Sequence, residues 1–260
     1  MEILYKDDHF VAVNKPAGLL VHRTSVDRNE SRFALQLVRA LVGRRVFPVH
    51  RLDKPTSGVL LFSLSPDGAR RMQEALVAGA VAKTYLAVVR GVPATAGVID
   101  YPLADERGSQ ADKGGKECRV ARNAVTSYRL LASVELPHAV GRYATSRYSL
   151  VALRPVTGRR HQLRRHLKHI LHPIVGDTTY GEGRHNRFFR EVLGCDRLLL
   201  AAVELSFLHP VTGEEVTITA PVDGTFAALL DRLQWRDAVP ERWHAWQSNG
   251  LQTERFPGPA

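Results

Sequence analysis

The chain has 260 residues, 44% of them apolar and 24% charged, so it is long enough to bury a full core and too long for a disulfide-stapled miniprotein. No run of about 18 uninterrupted apolar residues is present to cross a bilayer as a helix. Thirty-six Lys and Arg against 26 Asp and Glu leave a formal charge of +10, which favours polyanionic partners, nucleic acid ahead of an anionic membrane. Of those 36 basic residues 29 are Arg, whose planar fork grips phosphate in two places and stacks on bases, although a genomic base bias gives the same enrichment.

In chain order, EILYKDDHFVAVNKPAG reads as strand, acidic turn, strand, and it lacks both the apolar stretch of a secretory signal and the Arg-rich pattern of a transit peptide. Ser31 is placed to cap a helix carrying Ala34, Leu37, Val38 and Leu41 on one face, stopped by Gly43. The loop FPVHRLDKPTSG runs into the strand Val59–Phe62. Ser65, Pro66 and Asp67 supply cap, first-turn proline and N-terminal acid for a second helix ending at Gly79. A strand over 83–90 follows. The polar stretch 105–123 has neither period and reads as a long surface loop. Strands near Tyr128 and over 147–153 precede a PVTG turn at 155–158, and 161–171 has helical length. Strand-like pieces over 198–200 and 203–208 lead to a second PVTG at 210–213 and a strand over 215–219, and both PVTG copies read as hairpin turns. Leu229, Leu233 and Trp235 belong to a late helix.

The excess of strands over three or four helices predicts an α+β fold, with a mixed, largely antiparallel central sheet flanked by helices and loops. The expected boundaries are a single domain over 1–235 and a peripheral, mobile tail over 236–260.

Three local features carry chemistry. His50-Arg51-Leu52-Asp53-Lys54-Pro55-Thr56-Ser57-Gly58 puts a carboxylate at the edge of a sheet, either as a rigidly supported catalytic group or as part of a surface salt cluster. Between Arg154 and His172 there are six basic residues and no acid, including Arg159, Arg160 and Arg164. A cation from this stretch would favour the ionised form of Asp53 in a water-poor site, and the Arg/His face suits phosphates. His161, His166, His169 and His172 invite a metal reading, but the surrounding charge repels a divalent cation and no metal is expected. Tyr85 opens an apolar strand, where its ring serves the core or stacks on an extruded base. Dinucleotide, NTP, zincin and hydrolase-elbow motifs are absent, and Cys118 and Cys195 have no C-x-x-C partner.

HRLDKPTSGVLLF, KTYLAVVRG, PVTGRRHQLRRHLKHILHPIVGD and RLLLAAVELSFLHPVTGE, in that order over residues 3 to about 220, resemble the RluA family of RNA pseudouridine synthases. Within it, VAVNKPAGLLVHR, TSGVLLFSLS and the lack of an N-terminal S4-type domain resemble members acting on tRNA. The resemblance implies a target uridine in the T stem, position 65 in tRNA numbering. It also implies Asp53 as the essential aspartate, Arg51 entering the gap left by a flipped nucleotide, Tyr85 stacking on the uracil and Arg164 pairing with Asp53. Leu200 would line the pocket, and His50, Lys54, Arg159, Arg160 and His161 would contact RNA. One departure is Ala201, where the family usually carries histidine.

Pseudouridine formation breaks the C1'–N1 bond, turns the uracil and rejoins it through C5, without redox change or hydrolysis, so no cofactor is expected. The implied protein is a cytoplasmic, monomeric isomerase with tRNA as partner, no obligate protein partner and no membrane association. Alternatives are a ribosomal RNA target, an RNA glycosylase releasing free base, or a non-catalytic RNA-binding protein on the same scaffold.

Overall fold

In a computed structural model, the structure describes residues 1–22, 31–104 and 120–244. Among these, ten strands form one sheet and five α-helices pack on it. The strands are β1 (Glu2–Lys6), β2 (Phe10–Lys15), β3 (Phe47–Pro48), β4 (Ser57–Ser63), β5 (Val81–Arg90), β6 (Ala96–Asp100), β9 (Val125–Leu136), β10 (Ser146–Pro155), β11 (Leu200–Leu208) and β12 (Glu215–Thr219), while β7 (Leu103–Ala104) and β8 (Ala121–Arg122) pair separately. The helices are α1 (Ala34–Val42), α2 (Pro66–Val77), α3 (Gln162–His169), α4 (Gly183–Glu191) and α5 (Gly224–Arg232).

The sheet order is β1-β2-β4-β11-β5-β10-β9-β6, antiparallel at every junction except the parallel pair β4–β11. β4 is buried along its whole length, which matches its unbroken apolar run: both faces are covered. Leu61 and Val59 meet Met72 of α2 on one side, and Leu60 and Phe62 meet Ala34 and Val38 of α1 on the other. Further along the sheet, Leu86, Val88 and Leu150 pack on α4 and α5, whereas Ala87, Val89, Val151 and Leu153 pack on Leu163 and Leu167 of α3. Gly58, at φ 112°, brings β4 so close to the backbone of Ala202 that any Cβ would collide. That approach sets the loop preceding β4 beside the start of β11.

The largely antiparallel α+β architecture expected from the sequence is present, with differences in detail. Ser31 caps nothing: α1 begins after Phe33, with no side-chain cap. The Ser65 cap does form, its hydroxyl accepting from Gly68 N–H. Only the second PVTG turns a hairpin, between β11 and β12; the first carries the chain from β10 into α3. α4 has no counterpart among the expected helices, because GRHNRFFRE concentrates its apolar groups in the adjacent pair Phe188 and Phe189. Residues 236–244, expected at the periphery, instead close the core, with Val239 and Trp243 buried and Trp243 Nε1 donating to Glu204. Residues 105–119, including Cys118, and 245–260 lie outside the described residues; Cys195 is a buried free thiol. No described helix is long and apolar enough to cross a membrane.

Candidate active site

The loop between β3 and β4 carries Asp53 and is tied down from behind. Thr56 N–H donates to the Asp53 carbonyl at 3.0 Å, and the Lys54 carbonyl accepts from Gly18 N–H at 2.8 Å and from Lys15 Nζ at 3.1 Å. Lys15 is fully buried, and its other two ammonium hydrogens serve the carbonyls of Pro16 (2.9 Å) and Leu19 (2.8 Å). Burial, then the charge of Arg197, pulls its pKa down to about 7, while Asp53 acts in the opposite sense. Ahead of Asp53, the Nε2 of His50 accepts from Leu61 N–H at 3.2 Å, and burial together with Lys83 lowers that imidazole to about 4, so it is neutral at physiological pH.

The opposing wall is α3. Its amino end is locked by Gln162, which uses both ends of its amide: Oε1 accepts from Thr157 Oγ1 (2.7 Å) and Arg159 N–H (3.0 Å), and Nε2 donates to Val125 O and Thr126 Oγ1 at 3.0 Å each. With that end fixed, the buried Arg164 points at two carboxylates. Its Nε and Nη2 meet Asp177 at 2.7 and 2.8 Å, and its Nη1 meets Asp53 Oδ2 at 3.5 Å. Asp177 also accepts from the N–H groups of Thr179 and Tyr180, both at 2.9 Å. Burial opposes its charge, but the bonds from Arg164 and Tyr180 hold it below the usual carboxylate range. Gly176, at φ 79°, lies so near the Arg197 backbone that only glycine fits in front of Asp177.

His161 sits at the start of α3 in the left-handed conformation, φ 52°, which is costly for a residue with a Cβ. Its Nδ1 bonds Tyr180 Oη at 2.9 Å, and its Nε2 lies 3.8 Å from Asp53 Oδ1.

Asp53 therefore looks into a cleft of about 460 Å³, within the range of small-ligand sites, and 26% of its side chain is exposed. Tyr85 of β5 and Leu200 of β11 line it, as do His50, Arg51, Arg159, His161 and Arg164. Burial, reinforced by the negative charge of Asp53, pushes the Tyr85 phenol upward, so it stays protonated. Lys54 and Arg160 do not line the cleft: Lys54 contributes its carbonyl to the loop anchor and Arg160 is exposed near the start of α3. Ala201 packs with Leu86 and Val88 on the face opposite Leu200, so the missing histidine lies away from the cleft.

Of the residues singled out in the sequence, Asp53, Tyr85, Arg164, Arg51, Leu200, His50, Arg159 and His161 meet around this one cleft. Missing from that set is Asp177, whose signal in the sequence is its isolation as an acid within a basic stretch, together with Lys15, Gln162 and Tyr180. The four histidines have separate protein contacts. His161 meets Tyr180, His166 bonds Thr126 and the Tyr101 carbonyl, His172 bonds the Arg90 carbonyl, and His169 stacks on Tyr101. No cluster of metal ligands occurs among the described residues.

Residues 9–169 match the family model described as RNA pseudouridylate synthase. The chain is 50% identical over 239 residues to the tRNA pseudouridine synthase C of Vibrio cholerae, covering 92% of this chain and 98% of that one. It is 51% identical over 240 residues to the protein of the same name from Yersinia pestis, at 92% and 93% coverage. Among solved structures, it superposes on human RNA Pseudouridylate Synthase Domain Containing 4 with a TM-score of 0.68 and 30% identity, covering 90% of this chain and 93% of that one. The matched stretch runs from the turn before β2 through α3 and so contains Asp53, Tyr85 and Arg164; the chain belongs to the RNA pseudouridylate synthase family.

Proposed function

We propose that this protein isomerises a uridine in the T stem of tRNA, at position 65, to pseudouridine, acting in the cytoplasm as a monomer, with Asp53 as the essential carboxylate. The observation that carries this reading is Asp53 itself, a carboxylate kept partly open in a cleft with room for a nucleotide, beside a buried guanidinium. The names of the relatives from Vibrio cholerae and Yersinia pestis support tRNA as the substrate.

A base inside an A-form stem is out of reach of such a cleft, so it must be extruded at a cost of roughly a few kcal/mol. Arg51, exposed at the rim, fills the vacated space, and the Tyr85 ring stacks on the extruded uracil, both offsetting that cost. Leu200 supplies the apolar wall; Arg159 and His161 at the start of α3 meet the backbone.

Asp53 then acts at the sugar, by adding to C1' or by taking the C2' proton to give a glycal. The freed uracil turns within the cleft and C5 bonds to C1', either displacing the Asp53 carboxylate from C1' or adding to the glycal as Asp53 returns its proton to C2'. Loss of the C5 proton and gain of one at N1 complete an isomerisation with no net change in atoms. Arg164 gives the ionised Asp53 its counter-charge, and Asp177 keeps that guanidinium in place.

Mapping pseudouridine by chemical adduct and primer stop in tRNA from cells with and without the protein tests the reading. A signal lost in the T stem is expected; one lost in ribosomal RNA instead would overturn the substrate, and free uracil with an abasic site would indicate a glycosylase.

A further inference from the structure

A second cleft, of about 550 Å³, opens at the other end of the β5–β10 ladder. Tyr85 at the active site and Arg90 at this cleft are five residues apart on β5, about 17 Å along the strand and, at that odd spacing, on opposite faces of the sheet, Arg90 on the side that carries α4. Four arginines line it: Arg90 on β5, Arg142 and Arg147 before and on β10, and Arg184 on α4. Two acids oppose them, Glu135 directly across from Arg147 in the β9–β10 ladder, so the arginines outnumber the acids four to two. Glu182 pairs with Arg90 at 2.8 Å, and Glu135 accepts from Thr145 Oγ1 at 2.6 Å. Arg142, Arg147 and Arg184 are exposed, and the Arg142 guanidinium lies 4.8 Å over the ring of Tyr143, itself 64% exposed. α4 also starts at this cleft; its N-cap residue, Glu182, makes no side-chain cap bond and turns its carboxylate to Arg90, so the positive end of the dipole adds to the field only what that carboxylate does not offset.

We propose that this cleft is a second RNA-docking site, which grips backbone phosphates of the substrate tRNA outside the arm that carries the target uridine. The chemistry is that of phosphate recognition: planar guanidinium forks around an open helix start, with one exposed aromatic ring for an unstacked base. Its position matters as much as its charge. A docking point at the far end of β5 and beside α4, on the side of the sheet away from α3, cannot touch the reacting nucleotide and is met only by RNA that reaches around the end of the sheet, so it selects the folded RNA while leaving the chemical step alone. This inference rests on the tRNA reading above.

The test compares a full tRNA transcript with a stem–loop made of the T arm alone, using wild type and R142A/R147A/R184A, with Kd by filter binding beside KM and kcat. The expected result is a rise of about tenfold or more in Kd and KM for full tRNA, kcat within twofold, and unchanged constants for the stem–loop. The dependence of log Kd on log salt for full tRNA should also become shallower, by roughly 0.7 to 0.9 for each phosphate that the variant no longer neutralises. Unchanged tRNA binding would overturn the proposal and leave the cleft to an acidic protein partner; an equal loss on both RNAs would also overturn it, by showing a general field. The single variants R147A and R184A give the same comparison with smaller shifts if the triple variant melts early. Because binding is read separately from turnover, failure of wild type to modify tRNA would strike the proposed function alone.

Discussion

Asp177 meets Arg164 through two hydrogen bonds of 2.7 and 2.8 Å, takes two backbone N–H groups besides and has no exposed side-chain surface, whereas Asp53 meets the same guanidinium at 3.5 Å and keeps 26% of its side chain exposed. One cation thus serves two carboxylates in opposite ways. Asp177 is saturated with donors and has nothing left for a substrate, so it is scaffold. Asp53 is charge-compensated but under-bonded, which leaves lone pairs open to the cleft, as the proposed function requires. The fold achieves this by delivering Asp177 from the chain segment just after α3 and Asp53 from a loop more than a hundred residues earlier, set down beside β11 by the Gly58 contact.

The largest expected effect follows from removing the open carboxylate. Asp53→Asn should lower kcat by at least about 10³-fold while RNA affinity and melting temperature stay near wild type. A melting temperature that falls with the activity would place Asp53 with the scaffold and erase the contrast.

Next in size are the scaffold variants. Asp177→Asn, or Arg164→Met, leaves a buried charge without its partner and should cost about 3–5 kcal/mol of stability, seen as a shifted denaturant midpoint. The double variant Arg164→Met/Asp177→Leu removes both charges and should be more stable than either single variant yet inactive, because Asp53 then lacks its cation. Full activity in that double variant would show that Arg164 serves the fold only.

A smaller effect appears in pH. His50 titrates near 4 in the folded chain against 6.5 unfolded, so between those values the unfolded chain binds a proton that the folded chain refuses. Stability should therefore fall as pH drops from about 6.5 to 4, by up to about 3 kcal/mol, while the Asp177 contribution is lost only at lower pH, as that carboxyl protonates. Melting curves of His50→Gln, which keeps an acceptor for Leu61 N–H, should be flatter across the His50 window; an unchanged slope would remove His50 as the cause.

Smallest is Tyr180→Phe. It deletes the hydroxyl that orients His161 and should reduce kcat by roughly twofold to tenfold, the worth of one hydrogen bond, without touching the Arg164 pair. A loss as large as that of Asp53→Asn would move His161 and Tyr180 into the chemistry.

Much of this is legible in the residues because it is local. The Ser65-Pro66-Asp67 start of α2, the apolar run of β4 and the HRLD loop ahead of it are written in consecutive side chains. What escapes a reading of the sequence depends on partners distant along the chain. The two PVTG segments are identical as tetrapeptides, yet the first is held by Gln162 against β9 and leads into α3, while the second has only β11 and β12 to join. Trp243, in a Pro- and Arg-rich stretch, is buried because Glu204 and the α5 core await it. Nothing in NKPAG marks Lys15 as buried; the three carbonyls that converge on its ammonium do. Asp177 stands out as an acid among bases, but its bond to Arg164 needs the helix end fixed by Gln162.

The most direct test of the central claim incubates wild-type protein and Asp53→Asn with an unmodified tRNA transcript and maps pseudouridine at single-nucleotide resolution. The expected outcome is a single T-stem signal at position 65 with wild type and none with the variant, although both bind the RNA equally. A T-stem signal from Asp53→Asn, or no T-stem signal from wild type, would contradict it.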